Sequence, residues 1–200
     1  AQCLTVTGSP VTLAATTAFY TPDDEGLSAP LALGFAFPIG GGTFTHVSVE
    51  SNGVLYLTNG GAPVGTTNYG TQDMGGTAGD SPRIACYWTD LEGVSPNWSV
   101  QMDTSVPGEC KISWVNVNEY LQLGAFTVQA TLYSTGVVNI TQSAGLQPLN
   151  FQVTSGVSAA NGIVATSSDL STGPSSTIAA LYEDFFFGAP IDIANTTTSI

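Results

Sequence analysis

The chain has 200 residues, only 8% of them charged, and its single lysine, arginine and histidine stand against fifteen Asp and Glu for a formal net charge of −13. Nucleic acids and anionic membranes are held by clustered Lys and Arg, so this composition excludes both as partners. Most acid–base and nucleophilic catalysis draws on histidine or a tuned lysine, and one of each argues for a protein that is not an enzyme.

In chain order, short runs rich in Val, Ile, Thr, Phe and Tyr alternate with Gly- and Pro-bearing breaks, the punctuation of an all-β protein. Strands are predicted at Leu4–Thr7, Val11–Thr17, Leu31–Phe37, Phe44–Glu50, Val54–Thr58, Arg83–Trp88 and Trp98–Met102. Further strands are predicted at Lys111–Val117, Ala125–Tyr133, Val137–Gln142, Gln152–Ser158 and Ile178–Leu181. Phe44–Glu50 changes character at nearly every step, as a strand with one buried face requires. Ser51-Asn52-Gly53 reads as a tight turn in which Asn and Gly take positive φ. Ser134-Thr135-Gly136 closes a hairpin between Ala125–Tyr133 and Val137–Gln142. Asn59–Asp80 is a polar loop too long to be a passive connector, so it is either functional or ordered by contacts. No amphipathic helix stands out. The fold class expected is an antiparallel β-sandwich, jelly-roll or Ig-like, with extended N- and C-terminal segments.

Hydrophobic residues make up 42% of the chain, enough for a packed core. No run of 18 apolar residues is present, so no membrane-spanning helix is expected. Ala1-Gln2-Cys3 reads as a mature end left by signal-peptide removal, which places the protein outside the cell or on its surface. In an oxidising compartment, three cysteines suggest one bridge and one leftover thiol. Cys86 and Cys110, in strand-like segments flanking a turn-rich stretch, are the favoured pair, with Cys3 free or bonded to another chain. The alternative is three reduced, buried cysteines.

Three blocks carry a family resemblance. Leu33-Gly34-Phe35-Ala36-Phe37-Pro38 runs through Phe44-Thr45-His46-Val47-Ser48-Val49 into Ser51-Asn52-Gly53-Val54-Leu55. Pro82-Arg83-Ile84-Ala85-Cys86-Tyr87-Trp88-Thr89-Asp90-Leu91 follows, then Ile112–Val117 with Phe126–Tyr133, and Val153–Gly162 closes the match. In order and spacing these blocks resemble a β-sandwich module of secreted bacterial surface proteins, similar in style to the nidogen-type extracellular domain. The resemblance implies a structural or adhesive module. It covers residues 31–162, taken as the sandwich core, and leaves 1–30 as an N-terminal extension or first strands and 163–200 as C-terminal strands and tail.

Candidate sites are few. Asp23-Asp24-Glu25, in a loop after Pro22, is the densest carboxylate cluster, and calcium is the one metal its oxygen donors suit. It lacks the spaced carboxylates of an EF-hand, so a solvated acidic turn is the competing reading. Asp90 with Glu92, and Glu183 with Asp184, are carboxylate pairs of the kind glycosidases use, although fifteen acids make chance pairs unavoidable. His46, with no Cys or second His near it in sequence, reads as a surface or core-edge residue. Of the three tryptophans, Trp88 and Trp114 fall on core strands, and Trp98, beside a Pro, is the candidate for stacking on a sugar. Asn97, Asn139 and Asn195 head glycosylation sequons. The function expected is an extracellular subunit that assembles with copies of itself into a filament, sheath or surface layer by strand addition. The alternative is a cell-surface adhesin that binds surface glycans.

Overall fold

The computed structural model describes residues 4, 6–15, 24–66, 73–93, 97–121, 124–142, 151–163, 167–171, 180–186, 191 and 197–199. These residues form strands and turns without a helix. The strands are β1 (Ser9–Pro10), β2 (Leu13–Ala15), β3 (Gly26–Ser28), β4 (Leu31–Ile39), β5 (Gly42–Val49), β6 (Val54–Thr58), β7 (Arg83–Trp88) and β8 (Leu91–Gly93). They continue as β9 (Ser99–Asp103), β10 (Glu109–Glu119), β11 (Phe126–Tyr133), β12 (Val138–Gln142), β13 (Val153–Ser158), β14 (Ala180–Phe185) and β15 (Thr197–Ser199).

Two antiparallel sheets make a sandwich. One has the order β1-β9-β10-β11-β12-β15, with β8 also pairing β10, and the other has the order β14-β13-β7-β6-β5-β4. β2 and β3 form a separate two-stranded sheet. Leu33, Val47, Leu55, Ile84 and Val153 of the second sheet meet Ile112, Trp114, Val128, Leu132 and Ile140 of the first in one buried core. The edge strand β4 shows the expected alternation, with Leu33 and Phe37 buried and Ala32, Gly34, Ala36 and Pro38 exposed. Pro38 is tolerated there because an edge has spare positions for a residue without an N–H. β6 and β7, in the middle of their sheet, are buried along their whole length. Their second face, with Val54, Tyr56, Ala85 and Trp88, is covered by Met74 from the long loop and by Ala180 and Tyr182 of β14. That explains why these runs read as continuously apolar and not as alternating.

Several expectations change. Residues 4, 6 and 7 are outside any strand, and among the described residues the first strand is Ser9–Pro10. The predicted pair Cys86 and Cys110 is not joined: both are free, buried thiols. Cys86 lies on β7 and Cys110 on β10, in facing sheets. Each thiol serves as a small apolar core group, and burial raises the pKa of both, that of Cys110 to about 12. Cys3 lies outside the described residues.

Candidate functional site

The Ser51-Asn52-Gly53 turn joins β5 to β6, and here the sequence reading was right about the turn and incomplete about its use. Gly53 alone takes positive φ, at 81°. A Cβ on it would sit 2.2 Å from the Tyr87 carbonyl oxygen, so glycine is required by space as well as by backbone. Its own carbonyl accepts from the Cys86 and Tyr87 N–H groups at 2.9 and 3.3 Å. The turn is thereby tied to the β7 end of the sheet.

Ser51 and Asn52 tie it in two further directions. Ser51 exchanges bonds with the start of β3: its N–H donates to the Gly26 carbonyl at 2.8 Å, and its hydroxyl accepts from the Gly26 N–H at 2.9 Å. The same hydroxyl donates to the Asp24 carbonyl. Asn52, fully buried, donates from Nδ2 to Glu25 Oε2 at 3.2 Å and accepts the Leu91 N–H on Oδ1 at 2.8 Å. One side chain therefore bridges the segment that carries Asp24 and Glu25 to the one that carries Asp90.

Three carboxylates converge as a result. Asp24, Glu25 and Asp90 each bring an oxygen to within 4.8 Å of the others, a donor set that could hold a metal ion. Glu25 is 1% and Asp90 3% exposed. Burial, reinforced by Asp24, Glu25, Glu92 and Glu119, raises the Asp90 pKa to about 7. Glu50, at the end of β5, is pushed by burial to about 8 despite the 2.8 Å hydrogen bond donated by the Tyr56 hydroxyl. The Glu50 carbonyl accepts from the Trp114 indole N–H at 2.9 Å, which locks this corner to the facing sheet. Asp23 lies outside the described residues. Sequence reasoning found Asp24 and Glu25 but set Asp90 beside Glu92 as a carboxylate pair. Glu92 instead accepts from Asn118 at 2.9 Å. The available signal was that two family blocks, Ser-Asn-Gly and Trp-Thr-Asp-Leu, meet at this point.

The remaining candidates are taken up by the fold. Trp98 is partly buried, packed on the core and lying over Gly93, so it is not an exposed stacking platform. Trp88 and Trp114 are core residues, as expected. His46 is half-buried on β5, with Nδ1 2.9 Å from the Thr45 hydroxyl. Glu183 accepts from the Leu170 N–H at 2.8 Å and Asp184 from the Thr154 hydroxyl at 2.5 Å, which makes both structural. Asn97 is exposed, Asn139 is half-buried on β12 with its amide donating to the Tyr133 hydroxyl, and Asn195 lies outside the described residues.

The described parts of the long loop, residues 59–66 and 73–80, are held by contacts. Arg83, fully buried, donates to the Asp73 carbonyl at 2.6 Å and the Gly65 carbonyl at 3.3 Å, and pairs with Asp80 at 3.3 Å. Its guanidinium lies 5.8 Å from the centre of the Tyr56 ring. An open cleft of about 580 Å³ runs beside this loop, lined in part by Phe44, Asn59, Asp80 and Asn161. Its polar rim is committed to holding loops: Asn59 accepts from the Thr45 N–H at 3.1 Å and Asn161 from the Gly79 N–H at 2.8 Å.

Comparison with known proteins adds one match. A family model described as NIDO related matches residues 2–188. The chain belongs to the NIDO-related family. No curated protein and no solved structure matches it. The match makes the chain a nidogen-like domain and extends well beyond residues 31–162, over which the sequence blocks carried the resemblance. In this NIDO-related chain β1, β2, β3 and β14 fall inside the matched span, while β15 falls outside it.

Proposed function

We propose that this NIDO-related chain is an extracellular structural subunit, not an enzyme, that assembles with copies of itself into a filament, sheath or surface layer by exchanging terminal strands. The observation that carries the reading is that strands from both ends of the chain, β1 and β15, are the opposite edges of one sheet. β1 holds β9 through Ser9↔Met102 and Pro10↔Gln101, and β15 holds β12 through Thr197↔Thr141, Thr198↔Ile140 and Ser199↔Asn139. Short edge pairings of this kind form equally well between copies, and each edge so covered hides backbone groups that would otherwise pair at random. A head-to-tail exchange that does not close on itself propagates into a filament.

Two further features support the reading. The family is of an extracellular type. A chain with 8% charged residues has few ionic groups to desolvate when subunits pack. The adhesin alternative, of the kind implied by secreted bacterial surface modules, calls for an exposed aromatic platform, and the partly buried Trp98 does not provide one.

The test is truncation. The full chain is expected to form polymers by negative-stain imaging, and deletion of residues 1–17 or of 188–200 is expected to leave folded monomers on size-exclusion chromatography. If both truncated chains still polymerise, strand exchange is wrong.

A further inference from the structure

We infer that Asp24, Glu25 and Asp90 form a calcium-binding site built on the Ser51-Asn52-Gly53 turn. The geometry is that of ligands around one ion. Calcium–oxygen distances of about 2.3–2.6 Å put oxygens on opposite sides of the ion about 4.6–5.2 Å apart. The three carboxylates bring oxygens to within 4.8 Å of one another.

Acidic residues gather on many surfaces without an ion, and a second observation separates this case from those. Asp90 is 3% exposed, and its carboxylate is aimed into the group. It accepts no hydrogen bond among the described residues, and the charges that act on it, Asp24, Glu25, Glu92 and Glu119, are all negative. An ionised carboxylate at so low an exposure, set among like charges without a donor or counter-charge, is costly. A divalent cation supplies both what Asp90 lacks and what the cluster as a whole lacks.

The surrounding structure suits a preformed site. Asn52 fixes Glu25 through Oε2 and fixes the Asp90–Leu91 segment through the Leu91 N–H, the role that outer-shell partners play around metal ligands. Ser51 fixes the backbone at Asp24. The donors come from two separate turns, and Asp24, only partly buried, leaves a side open to water. Carboxylate oxygens without Cys or His select a hard cation. Calcium accepts irregular geometry and six to eight oxygens, whereas magnesium demands a near-ideal octahedron. An affinity of about 10⁻⁴–10⁻³ M, typical of extracellular calcium modules, is the expected range.

The experiment uses the full chain stripped with EDTA and titrated with calcium chloride, by calorimetry and by thermal unfolding, with magnesium chloride as comparison. Terbium emission excited through the tryptophans gives an independent signal. Calcium is expected to raise Tm, to displace terbium and to outcompete magnesium. Asp90→Asn and Glu25→Gln are each expected to weaken calcium binding by about 100-fold. Metal-free Asp90→Asn should melt no lower than the parent, because it removes a buried charge and not a bond; a purely structural Asp90 would give the opposite shift. Should a buried variant fail to fold, Asp24→Asn at the partly exposed position is the localising variant and must also weaken binding. The absence of any calcium response up to about 10 mM overturns the assignment. So does a calcium response that Asp24→Asn leaves unchanged.

Discussion

Two corners of the same sheet bury charge in opposite ways. At the Arg83 corner one cation is surrounded by acceptors: the carbonyls of Asp73 and Gly65, the carboxylate of Asp80 and the face of Tyr56. At the Asn52 corner the carboxylates of Glu25, Glu50 and Asp90 are buried together, and Glu25 accepts from an amide and Glu50 from a hydroxyl. Tyr56 touches both corners, accepting the guanidinium on its ring and donating its hydroxyl to Glu50. The scarcity of cations in this chain is not uniform in its effect. The single arginine is spent on ordering the long loop, and the acidic turn is left to be balanced by protonation or by a bound ion.

The largest effect should come from the compensated corner. Arg83→Met removes the counter-charge of Asp80, which keeps only its Thr77 donors, and frees the loop carbonyls, and breaking a buried pair on one side costs about 3–5 kcal/mol. Urea unfolding should show that loss, with new proteolytic cleavage inside residues 59–80. A cost near zero would mean that the loop is held by its other contacts alone.

Next comes the uncompensated corner. The folded pKa of Glu50, about 8, lies above its ordinary 4.5, so the folded state holds the proton more tightly than the unfolded one. Its contribution to stability is therefore full below about pH 4.5 and is lost as pH rises towards 8. The total is a few kcal/mol, at about 1.4 kcal/mol for each pK unit. Urea midpoints at pH 5 and pH 8 should differ in that direction, and Glu50→Gln should flatten the difference. A slope of the opposite sign would sink the idea that Glu50 is buried as an acid. The smallest effect belongs to the other cation. Lys111 pairs with Glu109 at 2.7 Å, but its side chain is 31% exposed, so Lys111→Gln should change stability by no more than about 1 kcal/mol. A larger loss would show that cation scarcity itself, and not burial, sets what each cation contributes.

Legibility followed element length and locality. β4 to β7 and β9 to β13 were readable because alternation or a continuous apolar run repeats over five or more residues. β3, β8 and β15, three residues each, carry too few positions for a period to register. β3 and β8 are also the strands that carry the candidate site, since Glu25 precedes the first and Asp90 the second. Asn52 illustrates the same limit. Its place in a tight turn was visible, but φ is positive only at Gly53, and the asparagine is needed for its amide and not for its backbone.

By itself the sequence determined the all-β class, the sandwich, the core tryptophans and the poverty of cations, because side-chain period and composition are properties of the chain before it folds. The tertiary structure alone decided which acids meet, that Arg83 holds the described parts of the long loop, that Cys86 and Cys110 are free thiols, and that β1 and β15 form opposite edges of one sheet. Those outcomes depend on contacts between segments far apart in sequence. Local pattern sets which way a side chain faces, but only the packing of the sheets sets what it faces.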